Sequence, residues 1–158
     1  MKKIGFIALF CLILDQLAKI IIVNLFSVHR GITIIPGFFT LMYVQNTGAA
    51  WSILDGNRLF LIITSILALI VIYLFFIKKQ ELKKIEHVIY GILIGGILGN
   101  LFDRIFRGFV VDYLSFNIFG YPFPIFNLAD IFIVCSVFLI LILTLRGVKQ
   151  DDSTSERK

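Results

Sequence analysis

Four long apolar stretches, near residues 4–26, 57–77, 87–106 and 127–146, constrain this 158-residue chain more than any other feature. A helix needs about 20 residues to cross the roughly 30 Å hydrocarbon core of a bilayer, and each stretch is long enough. Lipid cannot solvate unpaired backbone groups, so runs of this length without strand-like alternation predict helices. Composition agrees: 59% of residues are hydrophobic and 16% charged, against roughly 25% charged in soluble domains. Seventeen Phe and five Tyr exclude a disordered chain. The expected fold class is an all-α polytopic membrane protein with one four-helix domain over residues 1–146 and a polar tail over 147–158.

The net charge of +5 does not point to nucleic acid, because the basic residues cluster at the ends of the apolar runs. Ten Lys and Arg fall on the side holding both termini and the 78–86 loop, against Arg30, Arg58, Arg104 and Arg107 opposite. The positive-inside rule then puts both termini in the cytoplasm and segments 27–56 and 107–126 in the other compartment. Asp15 and Lys19 interrupt the first run and no small-residue cleavage site follows, so it reads as a retained helix. Cys11 follows Phe10, where a lipobox needs Gly or Ala, so the chain is not itself a lipoprotein. In segment 27–56, β-branched and aromatic residues broken by Pro36-Gly37 predict short strands, and Asp55-Gly56 a turn before Asn57 as a helix cap.

An ionisable group in the hydrocarbon core costs about 2.5 to 3.5 kcal/mol on insertion scales and needs a partner or a role. Asp15 and Lys19, at i and i+4 with Gln16 between, read as a structural pair. In the third run, Gly95 and Gly99 allow close helix contact, while Asn100, Asp103 and Arg104 form one polar face suited to lining a cavity. Asn127 and Asp130 fit a helix N-terminus without further purpose, but Asp112 stands in an apolar setting that no cap explains. Both segments meet the same membrane boundary, so Asp112 and Asp130 can converge. Two close carboxylates resist joint ionisation, which is the arrangement of an aspartic protease. The ionised one takes a proton from water, and the protonated one polarises the scissile carbonyl and then protonates the leaving amine.

Metal and serine chemistries lack their motifs: His29 and His87 fall on opposite sides, and neither HExxH nor GxSxG occurs. The alternative from another class is a proton- or ion-coupled carrier subunit using Asp15, Asp103, Asp112 and Asp130. A relay would distribute carboxylates across membrane depth, whereas three of these four lie toward one side.

Five blocks closely resemble the lipoprotein signal peptidases, or signal peptidase II. They are Asp15-Gln16-Leu17-Ala18-Lys19, Asn46-Thr47-Gly48-Ala49-Ala50-Trp51, Gly95-Gly96-Ile97-Leu98-Gly99-Asn100-Leu101-Phe102-Asp103-Arg104, Val111-Asp112-Tyr113 and Phe126-Asn127-Leu128-Ala129-Asp130. Trp51 stands where that family more often has Phe, and Ile131 where Ser is frequent. The resemblance implies an endopeptidase of the bacterial plasma membrane that cuts diacylglyceryl-modified prolipoproteins before the lipidated cysteine. Asp112 and Asp130 match its catalytic pair. Asn100, Arg104 and Asn127 match polar residues around the cleft, Asp15, Gln16 and Lys19 a supporting cluster, and Asn46 and Gly48 an extracytoplasmic β-cradle between helices 1 and 2. It implies no metal or cofactor, membrane lipid as surroundings, and globomycin-type cyclic peptides as inhibitors of the same cleft.

Overall fold

A computed structural model describes residues 2–49, 53–78 and 82–155. Its elements run α1 (Lys2–Leu25), β1 (Gly31–Ile35), β2 (Phe39–Asn46), α2 (Arg58–Val71), α3 (Lys84–Phe106), β3 (Val110–Ile118), β4 (Tyr121–Pro122) and α4 (Leu128–Ser155). A π-helical turn, Ile72–Ile77, extends α2 to the length of a span. All four expected helices are present and long and apolar enough to cross a membrane.

Burial divides them. In α3, 56% of the most apolar window lies inside the protein, against 11% in α2 and in α4, so α3 is the shared core and the others face outward around it. Glycine permits this. A Cβ on Gly95 would stand 2.5 Å from the Cβ of Cys11 and one on Gly96 2.7 Å from the Ala129 carbonyl, so α1 and α4 approach α3 almost backbone to backbone. The close contact expected of Gly95 is thus with α1. Gly99 instead makes room for a carboxylate: its missing Cβ would lie 2.5 Å from Asp15 Oδ2.

Two apolar clusters hold the bundle, one of Ile4, Ile77, Tyr90 and Leu93 near the chain-terminal end. The other, Ile22, Tyr43, Val111 and Tyr113, joins α1 to the strands.

The strands expected in 27–56 are present as β1 and β2, but the all-α label and the placing of the sheet between helices 1 and 2 are corrected in extent: the antiparallel sheet, ordered β1-β2-β3-β4, also draws β3 and β4 from segment 107–126. Segment 107–126 carries the residues that demand this, since Val110 to Tyr113 are buried and β3 pairs Val44 with Asp112 and Asn46 with Val110. Pro36-Gly37 makes the β1–β2 turn as expected, with Gly37 at φ +73°. Asp55-Gly56 also turns, whereas Asn57 caps α2 by position without a side-chain bond.

Two boundaries move. Helix α3 begins at Lys84 rather than near 87, and α4 continues to Ser155 rather than ending near 146. Charge at Arg146 ends the apolar run, but polar residues can continue a helix, and Gly147 does not stop this one. Trp51 and residues 79–81 of the basic loop lie outside the described residues.

Candidate active site

Beneath the sheet, α1 and α3 close around a knot of charge. Lys19, with no solvent exposure, bonds Asp15 Oδ2 at 2.8 Å and Asp103 Oδ2 at 2.9 Å. Its third proton goes to Asn100 Oδ1 at 3.0 Å. Asp103 also accepts the Val111 backbone N–H at 3.1 Å and pairs with Arg107, one turn on. Asp15 Oδ1 accepts the Ala129 N–H at 3.1 Å, which ties α1 to α4. Gln16 donates to Asp15, Gly99 and Asp103, each at 3.2 Å, and accepts from Arg107 at 2.8 Å. Two carboxylates and two cations cancel, and each buried charge is hydrogen-bonded, which is the condition for tolerating it in a low dielectric.

The expected Asp15–Lys19 pair is therefore part of a larger cluster. Asp103, expected on the cleft face with Asn100 and Arg104, turns the other way into this cluster and is fully buried. Its i+4 partner Arg107, read only as a topogenic charge, belongs here too.

Asp112 comes from β3 and Asp130 from the first turn of α4. Asn127 is the N-cap, and the two form a reciprocal box: Asp130 N–H donates to Asn127 Oδ1 at 3.0 Å and Asn127 N–H to Asp130 Oδ2 at 3.1 Å. The capping reading and a functional reading of Asp130 are therefore compatible. Asn127 Nδ2 donates to Asp112 Oδ1 at 2.6 Å, Asn46 Nδ2 to Asp112 Oδ2 at 2.8 Å, and Asn100 Nδ2 to Asp130 Oδ1 at 2.7 Å.

The orientation of each amide follows from a partner that can only donate. The Asn100 oxygen faces the Lys19 ammonium, that of Asn127 faces the Asp130 N–H, and that of Asn46 faces the Gly48 N–H at 2.9 Å. Each NH2 group is thereby aimed at a carboxylate, and both aspartates accept one N–H on each oxygen. Lys19 thus reaches the site through Asn100. Burial, then the charge of Asp130, pushes the Asp112 carboxyl up to about 7; the Asn46 and Asn127 amides, then the more distant Lys19, oppose this. Burial pushes Tyr113 up to about 12, and its hydroxyl accepts the Leu128 N–H at 3.2 Å, fastening the start of α4 to β3.

Arg104 lines the same cleft and donates to the Gly48 carbonyl at 3.1 Å, holding the chain after β2 over the site. Arg58 was missed as a structural residue. Its guanidinium bonds the Arg104 and Ile105 carbonyls at 2.6 and 2.7 Å, closing the open end of α3 from α2.

Asp112 and Asp130 open onto one cleft of about 800 Å³. Thr64, Ser65 and Ala68 of α2 line one side, Ile131, Val134 and Cys135 of α4 another, and Ile97 of α3 the floor. Few polar groups in an apolar hollow suit a ligand that is mostly hydrocarbon with one reacting polar centre. Among the described residues, no three His, Cys, Asp or Glu side chains gather as metal ligands would.

A family model described as signal peptidase (SPase) II matches residues 7–146. Lipoprotein signal peptidases of Staphylococcus aureus strains JH9 and Newman are each 42% identical over 140 residues, covering 89% of this chain and 86% of theirs. A bacterial membrane enzyme solved by the in meso method superposes with a TM-score of 0.86 at 39% identity, over 95% of this chain and 92% of that one. A second gives 0.81 at 40% identity, over 92% and 94%.

Proposed function

The chain belongs to the signal peptidase II family, and we propose that its two cleft carboxylates make it an aspartic endopeptidase that removes signal peptides from diacylglyceryl-modified prolipoproteins. One observation carries this reading: Asp112 and Asp130, from different elements, meet at one apolar cleft, held by neutral amides and one backbone N–H rather than by direct salt bridges. A carboxylate locked to a cation cannot readily exchange a proton; one held by amides can.

We assign the resting proton to Asp112, whose carboxyl is pushed up to about 7 by burial and the charge of Asp130. Asp130, accepting N–H groups at the positive end of α4, is better placed to carry the charge. Asp130 takes a proton from water as the water oxygen bonds the scissile carbonyl carbon, and the Asp112 proton supports the oxyanion. Asp112 then gives that proton to the leaving amine as the C–N bond breaks. The dyad retains one proton, now on Asp130, which must return to Asp112 before the next turnover. Asn46, Asn100 and Asn127 keep both carboxylates in place, and Arg104 with Gly48 positions the loop above them. No cofactor is required.

A signal-peptide helix and a diacylglyceryl chain both partition into lipid, so such a substrate reaches the cleft by diffusion within the membrane. The basic-residue distribution supports a plasma-membrane orientation with both termini cytoplasmic and the cleft toward the extracytoplasmic side. Globomycin-type cyclic peptides should compete for the cleft. The carrier alternative is disfavoured because Asp15 and Asp103 are sealed among cations and donors rather than strung along a route.

The test is a gel assay of purified protein on a diacylglyceryl-modified prolipoprotein. A shortened product with wild type, lost on globomycin addition, is expected. Absence of cleavage by well-folded wild type would overturn the proposal.

A further inference from the structure

A water-facing antiparallel sheet alternates apolar and polar residues, and soluble proteins blunt edge strands with charge. This sheet keeps the alternation, as in Ile32-Thr33-Ile34 and Leu114-Ser115-Phe116-Asn117-Ile118, but it lacks the charge. Residues 31–46 and 113–129 contain no Asp, Glu, Lys or Arg, so Asp112, buried at the cleft, is the sole such residue of the four strands. Edge strand β1 is exposed at every position and presents Ile32, Ile34 and Ile35. At the far end, the turn between β3 and β4 holds Phe119 at 105% exposure beside exposed Ile118 and Tyr121.

The backbone there strengthens the case. Phe119 has φ +52° and Gly120 φ +84°. Consecutive positive φ values are what a tight hairpin turn demands, and Asn, Asp or Gly ordinarily fills the first position. A bulky aromatic in the left-handed region is strained. The turn therefore carries both a strained backbone and a fully exposed aromatic ring, which an aqueous setting would compensate in neither respect.

We propose that the Phe119 turn, with the exposed face of β1, is a lipid anchor seated in the membrane interface on the sheet's side of the bundle. Lipid is the occupant because this surface continues from the four membrane-length helices, whose connections through both 27–56 and 107–126 build the sheet. Aromatic side chains favour the interfacial zone. Arg30, exposed just before β1, is placed to meet lipid phosphates. The anchor holds the sheet down on the bilayer, and with it Asn46 and Phe123, which line the cleft from the same sheet and its loop. It is independent of the chemistry proposed for the dyad.

The chain has one Trp, so Phe119→Trp in a Trp51→Phe background gives a single reporter at the turn. The protein is reconstituted into phosphatidylcholine–phosphatidylglycerol vesicles with or without bromine on the acyl chains. Strong quenching by brominated lipid with protection from aqueous iodide is expected. Iodide quenching without lipid quenching would put the turn in water, and quenching by neither would put it against protein; both overturn the proposal. A second variant reads the same point through stability. Phe119→Asn suits the left-handed turn, so it should raise the unfolding temperature if the tip were in water. A lower unfolding temperature in vesicles is expected, and a raised or unchanged one counts against the anchor.

Discussion

Two pairs of buried aspartates occupy one bundle, and their surroundings differ in kind. Asp15 and Asp103 share the Lys19 ammonium, with Arg107 adding a second cation. Asp112 and Asp130 make no salt bridge among the described residues and are held by asparagine amides and a backbone N–H. The first pair is electrically neutralised and closed; the second is held by neutral donors and opens onto a cleft. Asn100 joins them, taking its orientation from Lys19 and passing it to Asp130. On the proposed function, the contrast teaches that the partner of a buried carboxylate, rather than its burial, separates a structural role from a chemical one.

The comparison breaks most visibly at the dyad. Asn keeps the shape of Asp but cannot exchange its proton, so Asp112→Asn and Asp130→Asn should each cost at least about 10² to 10⁴ in cleavage rate. Inhibitor binding and fold should survive, and the double variant should be scarcely slower than either single one. Asp130→Asn at near wild-type rate would remove it from the dyad.

In the closed pair the damage should fall on folding instead. Lys19→Ala leaves two buried carboxylates with Arg107 alone, and one-sided loss from a buried pair costs about 3 to 5 kcal/mol. Folded yield and unfolding temperature in detergent should drop before any specific loss of turnover. Full stability with abolished cleavage would place Lys19 in the chemistry.

An amide change should sharpen the contrast through pH. If Asp112 is the acid, as proposed, it must be protonated to act, and with its carboxyl at about 7 cleavage should decline as pH rises through that value. Asn46 favours the charged form of Asp112, so Asn46→Ala should move this decline to higher pH and slow cleavage about 10- to 100-fold. Stability has the same sign. An unfolded Asp releases its proton near about 3.9, while folded Asp112 keeps it to about 7. Stability should therefore be fully present below the lower value and fall as pH rises through the window between them. Asp112→Asn should flatten that dependence in thermal unfolding. A rise in stability across the window would contradict the assignment.

The smallest effect should come from a charge outside both pairs. Arg58→Ala removes two bonds to the end of α3, each worth about 0.5 to 1.5 kcal/mol, visible as a modest drop in unfolding temperature. Loss of cleavage without that drop would assign Arg58 to substrate instead.

Much of this molecule was legible in order along the chain. Hydropathy locates four spans because a membrane-crossing helix must satisfy its own backbone and hide it in about 20 apolar residues, a local requirement. The Asp15–Lys19 pair and the Asn127–Asp130 cap were equally visible, since helical spacing alone brings i and i+4, or cap and N3, together. Segment 107–126 hid its strands because pairing partners lie far away in the sequence: β3 exists by virtue of β2, and Asp112 meets Asn46 across 66 residues. The direction taken by Asp103 was decided at the same level. Spacing gave it a common face with Asn100 and Arg104, but that face is shared between a cleft and a neighbouring helix, and the nearest buried cation, Lys19 of α1, settled which side it joined. The sequence by itself therefore determined which groups must leave lipid and which local pairs they can form. Only tertiary structure decided which carboxylates found cations and which found amides, because that choice depends on distances between elements that no local pattern encodes.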